Sequence, residues 1–179
     1  APYEASYASP FIVSQPGTIP AGQVSPHVVN APDVVVTFFA QAGIPLPWKM
    51  HGRDFSPLLR NPAAARWDHA TLYTSTGQDY GASVTATLRG AKAARHAGVP
   101  YFAAVRHGHL KYIRYFDARE PEELYDLRAD PEELTNLAGE PGRRADLVRL
   151  RTLWRQELQA ADATYLELLP PVASGAGGN

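Results

Sequence analysis

Cysteine is absent from all 179 residues. Its absence excludes disulfides, thiolate metal sites and a cysteine nucleophile. It carries no information on compartment, because oxidising and reducing spaces both tolerate Cys-free chains. An excess of charge is lacking too: 17 basic and 18 acidic residues leave a formal net charge of −1. No global field therefore points to nucleic acid or to an anionic membrane surface. No apolar run approaches the length that spans a bilayer, so no membrane partner is expected. The start, at Ala1, has no basic segment leading into an apolar one, so no signal peptide lies within these residues. The opening reads as a cut from something longer.

What is present suits one domain, or one and a half, with enough residues for a real core. Tyr3 to Tyr7 reads as a helix end or a loop. The apolar run Ser9 to Ser14, closed by Gln15-Pro16-Gly17, reads as a buried strand ending in a turn. Val34-Val35-Val36-Thr37 would suit a strand on propensity, yet Asn30 as N-cap, Pro32 and Asp33 in the first turn and Gly43 at the end predict a helix. Asp54 to Leu59 resembles a capped helical turn. Leu72-Tyr73-Thr74 is a short strand, and Gly77 to Gly98, rich in small and polar residues, reads as a long loop.

A hairpin follows, with strands Tyr101 to Arg106 and Leu110 to Phe116 around His107-Gly108-His109. Lys111, Ile113 and Tyr115 take one face; Leu110, Tyr112, Arg114 and Phe116 take the other. Leu124 to Leu127 is a third strand. Leu147, Leu150, Trp154, Leu158 and Ala161 recur at helical spacing, which places an amphipathic helix over about 143–161. The tail 170–179 is too poor in apolar residues to pack and is expected to be disordered. The order of elements gives α/β character overall and α+β within this stretch: the end of a larger sheet, then a small antiparallel sheet packed by a C-terminal helix. The lone strand cannot bury both faces here, so Phe11, Ile12 and Val13 should be uncovered.

The order of motifs resembles the sulfatases. Tyr3-Glu4-Ala5-Ser6 with Ser9 to Val13 and Pro16-Gly17, then Ala31-Pro32-Asp33 through Ala42-Gly43-Ile44-Pro45, is similar to two stretches of that family. So are His51-Gly52-Arg53-Asp54-Phe55-Ser56-Pro57-Leu58-Leu59, Arg106 with Lys111-Tyr112-Ile113, and Glu122 to Leu127 with Asp130-Pro131-Glu132-Glu133 and Asn136-Leu137-Ala138. Each motif is weak alone, but together and in order they cover about the first 160 residues. The resemblance implies an alkaline-phosphatase-like fold. In that division 1–60 hold the last strand and helix of the catalytic domain and 61–169 a C-terminal antiparallel-sheet subdomain. It also implies a formylglycine nucleophile and a calcium ion in the parent enzyme, a sulfated small molecule or polysaccharide as partner, and a periplasmic or secreted location.

The chain departs from the family pattern at the catalytic residues. It has no Cys, and no Ser is followed by x-Pro-x-Arg. The family's sulfate-binding Lys would fall before Ala1. No catalytic or metal residue and no cofactor is therefore assigned to this chain, and in isolation no turnover is expected. What remains is the lining of a pocket. His51, Tyr73, His107 and His109 are the candidates to contact substrate. Each has a plainer reading, as surface or turn histidines and ordinary strand packing. His107 and His109 could reach a metal from an extended strand but lack a third ligand. Arg106, Lys111 and Arg114 read as structural ion pairs with Glu122, Glu123 or Asp126, and the arginines of the last helix as a solvated face. Two other readings stay open: a phosphodiesterase or phosphonate monoester hydrolase of the same superfamily, and a free-standing module that binds a glycan or a protein.

Overall fold

The computed structural model describes residues 1–63, 66–90 and 94–172. They fall into two compact units, one of Ala1–Ala8 with Leu72 onward, the other Ser9–Thr71.

In the Ser9–Thr71 unit the expected helix forms as α2 (Ala31–Ala42), following the short α1 (Glu4–Tyr7) of the other unit. Its caps override the β-branched run. The Asn30 side chain accepts from the Asp33 N–H at 3.2 Å, and Asp33 returns the bond to the Asn30 N–H at 3.0 Å. Gly43 closes the helix at φ +66°, a conformation glycine adopts without strain. The capped turn is α3 (Ser56–Arg60), with the Ser56 N–H donating to Asp54 at 2.8 Å. Two buried polar side chains of α2 hold the chain that leads into α3. Asp33 accepts from the Arg53 N–H at 2.7 Å, and the Thr37 hydroxyl accepts from the Phe55 N–H at 3.0 Å. Gly52 lies so close to the first turn of α2 that a Cβ there would meet the Pro32 oxygen at 2.0 Å.

The Ser9–Ser14 strand is not formed. Phe11 is 49 % exposed and Ile12 89 %, as expected for side chains without a sheet to cover them. A strand needs a neighbour for its N–H and C=O groups, and α2 and α3 offer none. Phe11 instead meets Phe55 edge to face at 5.9 Å. Val24, Val35, Phe38, Ile44, Leu46 and Trp48 of this unit are exposed as well.

The other unit holds β1 (Thr71–Ser75), α4 (Ala82–Arg89), β2 (Arg95–His96), β3 (Val99–Pro100), β4 (Phe102–His107), β5 (Leu110–Tyr115), β6 (Glu123–Asp126) and α5 (Arg144–Ala160). The main sheet runs β1-β4-β5-β6, and β2 pairs with β3 apart from it. β4–β5 and β5–β6 are antiparallel, with His107 opposite Leu110 and Lys111 opposite Tyr125. The mixed helix-and-sheet class, the hairpin and the packed C-terminal helix match the sequence reading.

The segment read as a loop, Gly77 to Gly98, differs: α4 occupies its centre. The Ser83 hydroxyl oxygen accepts from the Tyr80 N–H at 2.7 Å at the start, and the Gly90 N–H donates to Ala86 and Thr87 carbonyls at the end. Only Val84 is buried, so no apolar stripe announced the helix.

α5 lies on one sheet face. Leu147, Leu150, Trp154 and Leu158 are buried along it, each stabilising by about 1.5–3 kcal/mol. The Trp154 indole N–H donates to the Ala103 carbonyl at 3.0 Å, its ring meets Tyr112 at 90°, and the Arg114 guanidinium stands 5.0 Å from the ring. The first expected tail residue, Pro170, accepts from Arg114. Residues 173–179 lie outside the described residues.

Candidate functional site

The strand alternation of β4, β5 and β6 sorts the polar side chains of this unit onto two faces. On the face away from α5, Phe102, Ala104, Ile113, Tyr115 and Tyr125 form a buried cluster, with Tyr3, Tyr7 and Tyr73 packed against it. Arg106 and Lys111 project into this apolar ground, where a bare charge would be costly. The Lys111 ammonium lies 3.0 Å from Glu4 and 2.9 Å from Glu133, and Arg106 lies 2.7 Å from the same Glu4. Glu133 also accepts the N–H of Glu4, an orphan donor at the start of α1. Glu133 sits at φ +56°, an uncommon backbone for a residue with a Cβ, and is buried.

These partners correct the sequence reading. Arg106 and Lys111 are ion-paired, but to Glu4 and Glu133 rather than to Glu122, Glu123 or Asp126. Glu4 is 107 residues from Lys111, beyond any local signal. Glu122 instead receives Arg151 and the Tyr112 hydroxyl on the α5 face, so at least Arg151 of the last helix is not simply solvated. Glu123 is ringed by phenols, accepting from Tyr115 at 3.0 Å and Tyr125 at 3.1 Å. Burial raises its carboxyl above the ordinary glutamate range; the hydroxyl donors of Tyr115, Tyr125 and Tyr3 pull it partly back.

The four candidate lining residues are separated by the fold. Tyr73, on β1, stands over the Lys111 ammonium at 5.7 Å and meets Tyr7 edge to face. Burial, then the charge of Glu4, pushes its phenol up to about 12. His51 is an exposed loop residue between α2 and α3, in the other unit. His107 and His109 are brought together at the β4–β5 turn. His107 stands on the α5 face with its Nδ1 2.9 Å from Arg149. His109 has its Nε2 3.8 Å from Asp126 and its Nδ1 3.4 Å from Arg128. In the sequence Arg149 reads as part of the solvated face of the last helix and Arg128 carries no signal, because the pairing of each with an imidazole depends on the fold.

The described residues do not gather a ligand set that fits a calcium ion. Among the described residues no three His, Cys, Asp or Glu side chains gather to hold a metal. Five of the partly or fully buried carboxylates are paired to a cation, Glu4 and Glu133 to Lys111, Glu122 to Arg151, Asp126 to Arg143 and Asp117 to Arg119, while Glu123 accepts from tyrosine hydroxyls and Asp33 from backbone N–H groups. A hard divalent cation needs several oxygens free of such partners.

Residues 2–160 match the family model described as N-sulphoglucosamine sulphohydrolase, C-terminal. Arylsulfatase K of Rattus norvegicus is 33% identical over 144 residues, covering 77% of this chain and 22% of that protein. N-acetylglucosamine-6-O-sulfatase of Bacteroides thetaiotaomicron is 29% identical over 139 residues, covering 76% of this chain and 22% of that protein. A solved structure, of a protein in complex with its substrate D-glucosamine-2-N,6-O-disulfate, superposes with a TM-score of 0.58 over 73% of this chain and 24% of its own, at 22% identity, which establishes the shared fold. The chain thus spans about a fifth of the curated relatives it matches. With the ordered motifs, the sheet and its packed helix, and a family model running through nearly all of them, this chain belongs to the sulfatase family, as its C-terminal domain.

Proposed function

We propose that this chain is the non-catalytic C-terminal part of an enzyme that hydrolyses sulfate esters on a sugar, and that it shapes which substrate is accepted. The observation that carries the reading is the coverage: relatives named as sulfatases share this stretch, and it amounts to about 22% of their length. Ester hydrolysis needs a strong nucleophile, a Lewis acid and cations around the sulfate. In this reading formylglycine and calcium belong to the rest of the parent, residues 1–60 complete its catalytic domain, and 61–169 supply a bordering subdomain. His51, Tyr73, His107 and His109 are the candidates to meet the alcohol portion of the substrate. A periplasmic or extracellular location goes with the family; among the described residues no helix is long and apolar enough to cross a membrane.

The test is sulfate release from a 6-O-sulfated glucosamine, measured with the full-length protein and with residues 1–179 alone. Release by the first and none by the second is the expected result. Turnover by residues 1–179 alone would refute the non-catalytic assignment. Cleavage of a phosphonate monoester in place of the sulfate ester would transfer the parent to the other branch of the superfamily.

A further inference from the structure

The His107-Gly108-His109 turn is not accounted for by the core or by the buried ion network. Each of its histidines meets an arginine from a different element: His107 meets Arg149 of α5, and His109 meets Arg128, which follows β6. A guanidinium has no acceptor, so in both pairs the imidazole Nδ1 must accept and the arginine must donate. Two guanidiniums thus each donate to an imidazole nitrogen. The carboxylates nearby are committed to a third arginine: Arg143 lies 3.1 Å from Asp126 and 3.4 Å from Asp146. Arg149 stands 3.9 Å from Asp146, at the edge of ion-pair range. Around the turn Arg143 reaches both Asp126 and Asp146, while Arg128 and Arg149 each meet an imidazole.

The turn itself is fixed. Gly108 takes φ +60°, and its carbonyl accepts from Arg106 at 3.3 Å. Arg149 stands on α5, which packs on β4 and β5, and Arg128 follows β6, which pairs with β5. Arg128 and Arg149 are exposed. Each keeps further N–H donors in the planar fork that suits sulfate, carboxylate or phosphate oxygens. Resting on an imidazole reduces the side-chain entropy lost when an anion binds.

We propose that Arg128 and Arg149, set by His109 and His107, form a docking surface for a sulfated polysaccharide, a chain with at least two anionic groups. The choice of glycan rests on the reading of the chain as part of a sugar sulfatase. The surface itself favours it over nucleic acid or lipid. The formal net charge is −1, and none of the turn residues is an exposed Trp, Tyr or Phe that could stack a base or enter a bilayer.

Heparin is the probe. The full-length protein is eluted from immobilised heparin by a salt gradient, beside R128Q/R149Q and, as a control on α5, R155Q, whose arginine pairs with Glu167. The expected result is retention of wild type and R155Q, and early elution of the double variant. Affinity should fall about ten-fold or more per arginine removed, and the salt dependence should lose about two counterions. The single variants R128Q and R149Q should fall between, and they carry the test if the double variant does not fold. Co-elution of wild type with R128Q/R149Q overturns the proposal. So does equal binding of wild type to heparin, duplex DNA and phosphatidylserine vesicles, because the surface would then be unselective. Sulfate release from a monosulfated aryl ester by the wild type, measured alongside, separates the two ideas: its absence defeats the proposed function, and retention on heparin decides the docking surface.

Discussion

Replacing Lys111 with methionine tests whether the ion network under the sheet is a structural anchor. The change keeps the length and apolar stem of the side chain and removes only the ammonium. At the 2.9 Å separation from Glu133, an effective dielectric constant of about 20 gives an attraction of about 6 kcal/mol before desolvation is counted. The loss is uneven across the two acids. Glu4 keeps Arg106 at 2.7 Å, whereas Glu133 keeps only the N–H of Glu4 on one oxygen. A buried carboxylate stripped of its cation costs about 3–5 kcal/mol, a large share of the roughly 5–15 kcal/mol that stabilises a domain. Urea titration of K111M, E133Q and K111M/E133Q reads this directly. K111M should lose about 3–5 kcal/mol and the double variant distinctly less than the sum of the singles. A K111M loss below about 1 kcal/mol, or strict additivity, would show that the 2.9 Å contact carries no coupling and would refute the reasoning.

Three further outcomes are expected. Burial raises the Glu123 carboxyl, so its contribution is fully present at acid pH and is lost as pH rises through its folded-state value. E123Q should therefore gain stability relative to wild type between pH 4 and pH 7, read from urea midpoints at the two pH values, and a constant difference would contradict the assignment. D33A removes the reciprocal cap of α2 and the acceptor for the Arg53 N–H; a loss of about 1–2 kcal/mol should appear in thermal or urea unfolding. G52A places a Cβ 2.0 Å from the Pro32 oxygen, and since both partners are backbone, the strain should be about 1–3 kcal/mol or more, seen as faster proteolysis within residues 9–71.

Much of the architecture was legible because its signals are local. Asn30, Asp33 and Gly43 announce α2 within one stretch, and the alternation along Leu110 to Phe116 assigned both sheet faces correctly. α4 escaped because its sequence is small and polar, although Ala82, Ala86, Leu88 and Arg89 are good helix formers. The Ser9–Ser14 run has strand composition, but composition does not supply a neighbouring strand. At the candidate site, the histidines of the turn were visible as a motif. Their arginine partners, and the acids that hold Lys111, were not, since those pairs span 19 to 107 residues. Ion pairing was anticipated from the residue types alone; who pairs with whom is a property of the fold.

The bond from the Glu4 N–H to Glu133 has a consequence for the order in which the chain can fold. Glu4 leaves the ribosome before its partners: Arg106, Lys111 and Glu133 follow 102, 107 and 129 residues later. At about 5–20 residues per second, the last of them emerges roughly 6 to 26 s after the first. Tyr73, Phe102 and Tyr125, against which Tyr7 and Tyr3 rest, also follow α1 in the chain, so α1 takes its place only after the sheet residues that cover it have been made.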